Sequence, residues 1–207
     1  MLIPVAELVA NHGLRDVTGV LHLGGHHGEE ADQYDQRMPW VNGPRVVWVE
    51  GNPAAIGELR RTVEHRPGHE IICALVDDQP REVTFHVASN GESSSVLDLG
   101  THAIEHPEVS YIDEWQATTT SVDLLADSGW DDLTFVNLDL QGLELRALQG
   151  ATKFLEHCDY VYAEVNREPL YQGCPMIAEL DQHLRGFRRV ATVWTRHGWG
   201  DALWSRP

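Results

Sequence analysis

Several runs of this chain are apolar almost from end to end, and that pattern leaves few architectures open. Residues 45–50 (RVVWVE), 133–140 (LTFVNLDL) and 160–165 (YVYAEV) do not alternate apolar with polar side chains, as a strand with one wet face would. Residues 17–23 (VTGVLHL) read the same way. Continuous runs of strand length belong to strands buried on both faces, and these occur in parallel sheets covered by helices on each side. Helical patterns fall between them. An amphipathic segment over 3–11 stops at Gly13, and residues 29–34 have the acidity of a helix start. Asn52-Pro53 supplies an N-cap and a first-turn proline for a helix to about residue 65. The helical stretch 143–157 is broken near Gly150, and a helix over 176–184 ends at Gly186. Further strands are predicted at 70–76 and 82–88, split by the turn-forming residues 77–80, and 187–195 with 200–205 form a closing hairpin. The alternation predicts a three-layer α/β domain with a mostly parallel sheet.

At 207 residues the chain is read as one domain, 1–207, with residues 1–16 as a capping helix. Residues 89–120 break the pattern with a polar stretch containing Ser93, Ser94 and Ser95. Structureless loops rarely exceed about 12–15 residues, so this segment is expected to be a functional, lid-like insertion. Fifteen Lys and Arg against 32 Asp and Glu give a net charge of −17, which repels phosphate backbones and acidic lipid and argues against nucleic-acid or membrane partners. No apolar run approaches the roughly 20 residues of a membrane span. The first residues lack a basic n-region and a small-residue cleavage site, so a cytoplasmic location is expected. Cys73, Cys158 and Cys174 are odd in number and far apart, which reads as free thiols. No metal-ligand spacing stands out, and a homo-oligomer remains open.

In an open parallel sheet the ligand binds beyond the carboxyl ends of the strands, so candidate residues are sought there. The first strand runs into Gly24-Gly25-His26-His27-Gly28, a loop that lets backbone approach a ligand, although it departs from G-x-G-x-x-G. The second ends in Glu50, placed to accept bonds from both hydroxyls of a ribose over that loop; the alternative is an exposed acid opening the next helix. Asp139 leads a polar cluster over 137–144, because an acid ending so apolar a strand is costly unless used or paired. Glu164 and Asn166 end a further strand, and Glu164 could instead pair with Arg146 or Arg167. Asp139 and Glu164, then His26 and His27, are candidate general bases. The three serines either contact an acceptor or form a hydroxyl-rich turn; Tyr171, Trp199 and His197 either stack on an acceptor or pack on the core.

Taken together, HLGGHHGEE, VVWVEGNP, SSSVL, LDLQGLELRALQGA, YVYAEVN and HGWGDALW resemble the FkbM-type S-adenosylmethionine-dependent methyltransferases, a branch of the class I methyltransferases. The block LDLQGLELRALQGA is similar to the family's Asp-x-Glu-Gly signature, with Gln141 in place of the acid. The resemblance implies a Rossmann-like, seven-stranded, mostly parallel sheet in the order 3-2-1-4-5-7-6 with an antiparallel C-terminal strand. It implies that Gly24, Gly25, His26 and Gly28 wrap the methionine part of S-adenosylmethionine and that Glu50 holds the ribose with Asn52 nearby. Ala74, Leu75 and Asp77 would flank the adenine, and Asp139 with Gln141 would lie beside the amino group or the transfer point. Known members methylate hydroxyls of sugars and natural products. The acceptor is therefore expected to be a small-molecule or glycan hydroxyl, met by Ser93, Ser94, Ser95, Glu164, Asn166, Tyr171 and Trp199. Two other readings stay open: a non-catalytic S-adenosylmethionine-binding module and a metal-assisted O-methyltransferase. The chain's hairpin ending and irregular glycine loop argue against a nicotinamide dehydrogenase.

Overall fold

The structure, a computed structural model, describes every residue except Ser128. The chain runs through α1 (Val5–His12), β1 (Val20–Leu23), α2 (Ala31–Arg37), β2 (Val46–Glu50), α3 (Pro53–Val63) and β3 (His69–Cys73). It continues through β4 (Leu75–Val76), β5 (Glu82–Ala88), α4 (His102–Glu105), β6 (Tyr111–Thr120), α5 (Val122–Ala126) and β7 (Phe135–Leu138). It ends with α6 (Glu144–Gln149), α7 (Phe154–His157), β8 (Tyr160–Asn166), α8 (Ile177–His183), β9 (Arg188–Trp194) and β10 (Trp199–Ser205).

Seven strands form one sheet in the order β3-β2-β1-β7-β8-β10-β9. Pairing is parallel from β3 to β8, and β10 runs antiparallel to both β8 and β9. Counting only this sheet's strands along the chain, the order is 3-2-1-4-5-7-6. The apolar runs explain the arrangement: β1, β2, β7 and β8 are buried at every position, as strands covered on both faces must be. One face packs Leu21, Val47, Val136 and Trp204 into a core beneath α6 and α8. The other packs Val20, Trp48, Phe135 and Tyr162 against α1, α2 and α3. Strand order reverses between β1 and β7, so their carboxyl ends open the crevice where such sheets bind ligands. These ends lie so close that a Cβ on Gly24, at φ +86°, would stand 1.8 Å from the Asp139 carbonyl oxygen. Only glycine fits there.

Two expectations need correction. The strand predicted at 70–76 is two strands, β3 in the main sheet and β4 in a second sheet of order β4-β6-β5. The insertion predicted at 89–120 is regular over its last third, because Tyr111–Thr120 pairs antiparallel with β5. That strand buries only Ala117 and Thr119 and exposes Ile112, Asp113 and Glu114, so its polar outer face masks the pattern. What remains irregular is 89–110, which carries α4. It is tied down by hydrogen bonds from Gly100 N and His102 N to the Leu170 carbonyl and from Gln172 N to the Asp98 carbonyl. Cys158 and Cys174 are buried free thiols and Cys73 is an exposed one. Among the described residues no helix is long and apolar enough to cross a membrane.

Candidate functional site

A cavity of about 510 Å³ lies over the carboxyl ends of β1, β2, β7 and β8, with the 89–110 arch as its outer wall. On the β1 side, the amides of Gly24 and Gly25 donate to the Val49 carbonyl at 2.9 and 3.1 Å, which folds the glycine loop back over β2. The turn presents Glu50. Its Oε2 accepts from His26 N at 2.7 Å and its Oε1 from Asn52 N at 2.6 Å. Burial pushes this carboxyl up, and the two amides with the nearby His26 pull the other way. Asn52 caps α3 by accepting from Ala54 N at 3.0 Å, so the wall under a ligand is built from helix-start and loop amides.

The β7 and β8 ends carry the second half of the site. Gln141, at φ +51°, donates from Nε2 to Asp139 Oδ1 at 2.6 Å and to Glu164 Oε2 at 3.3 Å. Its Oε1 accepts from the Tyr171 hydroxyl at 2.5 Å, and its carbonyl accepts from Ser95 Oγ at 2.9 Å. A carboxamide therefore bridges two acids that would otherwise repel. Asp139 is exposed where it lines the cavity; the surrounding protein and the neighbouring Asp201 raise it to about 6 against the pull of Gln141. Glu164 is 8% exposed and its Oε1 has no partner; burial and then Asp139 hold it well above the usual carboxylate range. Behind them Glu144 is buried completely and accepts from Leu140 N and Gly142 N at 2.9 and 3.2 Å. Burial lifts it to about 7 despite those amides.

The cavity brings together Gly24, His26, Glu50, Asn52, Leu75, Ser93, Ser94, Ser95, Asp139, Gln141, Glu164 and Trp199. Eight predicted residues stand outside its lining, His27 and His197 among them. Gly25 packs against Trp48, and Gly28 packs against Leu59 and Val63 of α3, so both serve helix–sheet packing. Ala74 packs on the core between β3 and β4. Asp77 is fully buried and gripped by Arg146, whose Nε donates to Oδ1 at 2.6 Å, and by Arg81, so it faces α6. Asn166 is buried without a side-chain partner, and Tyr171 stands behind the wall as the support of Gln141. The serine hydroxyls are engaged within the protein. Ser93 Oγ accepts from Asn90 and bonds His102 Nε2 at 3.1 Å, Ser94 Oγ donates to the Gly91 carbonyl, and Ser95 holds Gln141.

His26 differs from the other base candidates. Its Nδ1 lies 2.8 Å from Glu29 Oε1 and its ring stacks on His27 at 3.6 Å, and the Glu29 bond favours the protonated form. His26, His27 and Glu29 hold one ligand atom each within 4.8 Å of one another, the metal-capable group among the described residues. His197 bonds Glu105 at 2.7 Å instead.

Several residues went unread. Asp201 sits opposite Glu164 in the antiparallel pairing and accepts from Leu2 N and the Tyr162 hydroxyl. His22 stacks on Trp48 at 4.6 Å and bonds the Tyr34 hydroxyl, and burial pushes it down to about 4. Glu30, Glu144 and His102 complete the set. The register of the hairpin on β8 was the one signal that could have found Asp201.

The methyltransferase FkbM domain matches residues 22–189 of this chain. The chain is 24% identical over 182 residues to the 2-O-methyltransferase NoeI of Sinorhizobium fredii, covering 83% of this chain and 73% of that protein. Among solved structures, the methyltransferase FkbM of Methylobacillus flagellatus superposes with a TM-score of 0.62 at 16% identity, covering 98% of this chain and 48% of that one. The chain thus spans about half the length of that protein. The magnesium protoporphyrin IX methyltransferase of Synechocystis, solved with bound SAM, superposes with a TM-score of 0.51 at 14% identity over 98% of this chain and 76% of that one. These likenesses establish the fold: the seven-stranded sheet with its antiparallel C-terminal strand is that of the class I methyltransferases.

Proposed function

The chain belongs to the methyltransferase FkbM family, and from that premise we propose that it transfers a methyl group from S-adenosylmethionine to a hydroxyl of a small-molecule or glycan acceptor, with Asp139 as the base. The cavity's three zones fit the cofactor. Glu50, fixed by two backbone amides, keeps lone pairs for a ribose diol. Leu75, Val76 and Phe85 give the flat apolar wall that an adenine needs, and the acids at the β7 and β8 ends suit a sulfonium and an ammonium. The relative NoeI, named as a 2-O-methyltransferase, supports oxygen as the accepting atom.

When bound, S-adenosylmethionine supplies a sulfonium methyl whose transfer to the acceptor oxygen breaks the methyl–sulfur bond, leaves the electron pair on sulfur and releases the hydroxyl proton. Asp139 takes that proton. The observation that carries this assignment is its accessible carboxylate, which sits in the cavity with a pKa of about 6 and is therefore ionised yet basic at neutral pH. Glu164 is 8% exposed and already accepts from Gln141, and His26 is occupied by Glu29, so neither is as free to accept a proton. Gln141 fixes the Asp139 carboxylate, and Tyr171 and Ser95 fix Gln141. The protein thus aligns acceptor and methyl donor while the 89–110 arch excludes water.

Calorimetry with S-adenosylmethionine and a methyl-transfer assay test the assignment together. Glu50→Ala should weaken cofactor binding by about 2–4 kcal/mol, the scale of two charge-assisted hydrogen bonds, with unfolding measured beside it because two backbone amides also lose their acceptor. Asp139→Asn should keep the fold and most cofactor affinity and lower kcat by about 100-fold. Unchanged binding in the first, or unchanged turnover in the second, removes the corresponding role.

A further inference from the structure

The charge of the cavity wall identifies the kind of acceptor it suits, an inference that rests on the methyltransferase reading. Glu29, Glu30, Glu50, Asp139, Glu164 and Asp201 line the inner wall, and Glu92 and Glu108 add two carboxylates from the arch. Among the described residues no lysine or arginine lines it, and the Met1 amino group is paired to Glu30 at 2.8 Å. Several carboxylates around one cavity focus a negative potential. Bound S-adenosylmethionine carries a sulfonium, an ammonium and a carboxylate, a net charge of about +1, and offsets only part of it. A phosphorylated or carboxylated acceptor would enter against this field and find no guanidinium or ammonium to receive it.

The arch shows where the remaining charge is aimed. His102 is 6% exposed and uses Nε2 for Ser93, while its Nδ1 is buried with no partner. His106 Nδ1 lies 3.5 Å from Glu108, and the His102 ring stands 4.9 Å from His106 and 5.5 Å from Tyr171. Across the gap, a Cβ on Gly91 would stand 3.5 Å from His26 Nε2, so the arch and the glycine loop almost meet. Deeper in, Glu164 Oε1 is buried with no hydrogen-bond partner. The outer end of the cavity therefore combines ring faces with carboxylates and an unsatisfied imidazole. Neutral polyols can donate hydroxyls to Glu92 and Glu108 as well, but a cation also gains the charge attraction of a rim that carries no lysine or arginine.

We propose that the methyl acceptor is a hydroxyl compound bearing a free amine, of the amino-sugar or aminocyclitol class, with its ammonium against the Glu92 and Glu108 rim and its reacting hydroxyl at Asp139. The test uses the full chain loaded with S-adenosylhomocysteine, titrated calorimetrically with glucosamine, 2-deoxystreptamine and kanamycin, each beside its N-acetylated form, and with glucosamine 6-phosphate. Free amines should bind at least about tenfold tighter than their acetamides, the phosphate should not bind, and the preference should shrink with salt. Glu92→Gln with Glu108→Gln should abolish the preference while cofactor binding stays unchanged. Equal or tighter binding of the acetamides or the phosphate overturns the inference, as does failure of every free amine at millimolar concentration. In all those cases cofactor binding keeps the methyltransferase reading intact, whereas a chain that takes up no S-adenosylmethionine removes that reading instead.

Discussion

Gln141 stands where the family signature carries an acid, and its surroundings show what the amide does. Asp139 and Glu164 both point at its Nε2, and a third carboxylate, Asp201, pairs opposite Glu164 across the strands. The amide donates to the ionised forms, so it favours them. Gln141→Leu keeps the volume and removes the donor, which should raise the Asp139 pKa further. The acidic limb of the pH profile of kcat/KM should then move up by about one unit, with turnover recovering toward pH 8. A profile with an unmoved limb would show that Asp139 is not the titrating base. The buried Tyr171 donates its hydroxyl to Gln141, a contact that no local pattern around a late-loop aromatic encodes.

The broken helix after β7 has a reason at the scale of elements. Helix α6 stops at Gln149, and a Cβ on Gly150 would stand 2.7 Å from the Asp77 carbonyl oxygen. The chain passes tightly over the turn that leaves β4. There Arg146 reaches from α6 to the fully buried Asp77 carboxylate, which Arg81 also faces at 3.6 Å, so this ion-pair cluster fastens the turn after β4 to α6. Removing Arg146 leaves that buried carboxylate with Arg81 alone. Arg146→Ala should cost about 2 kcal/mol in urea unfolding at pH 7, the scale of lost charge-assisted hydrogen bonds, and less as pH falls, because burial already raises Asp77. A loss below about 0.5 kcal/mol would mean that the second sheet is held mainly by the Phe85 and Leu75 cluster.

For the molecule as a whole, the acids under the cavity link stability to pH. Folded Glu144 titrates near 7 and Asp139 near 6, and Glu164 is raised as well, whereas unfolded carboxylates titrate at about 4. Between those limits the folded chain keeps protons that the unfolded chain has released, so stability falls as pH rises and the penalty is complete above about pH 7. His22 works in the opposite sense. It is neutral in the fold down to about 4, so stability falls as pH drops below the 6.5 of a free imidazole. Between about pH 4.5 and 6 the three raised carboxylates outweigh the single His22, so the ligand-free chain should melt highest near pH 5 and several degrees lower at pH 8, by scanning calorimetry. S-adenosylmethionine, a cation, should give a larger upward shift at pH 8 than at pH 6. A melting temperature that climbs steadily to pH 8 would mean that the acid cluster is not desolvated in solution.

By itself the sequence determined the layers and most of the main sheet, because doubly buried strands write continuous apolar runs and their ends are punctuated by glycine, by Asn52-Pro53 and by acids. It also marked Glu50, Asp139 and Glu164, since a carboxylate closing an apolar strand is costly without a use. Tertiary structure alone decided the rest. Strand β6 is half exposed, so its pattern looks like loop until β5 pairs with it. Asp77 reads as a ligand-side acid until Arg146, 69 residues away, is seen to grip it. The serines read as acceptor contacts or as a hydroxyl-rich turn, and only the fold shows that their hydroxyls bond the arch and Gln141 while the residues line the cavity. Asp201 meets Glu164 only through antiparallel register, and no local pattern encodes a partner that distant in the chain.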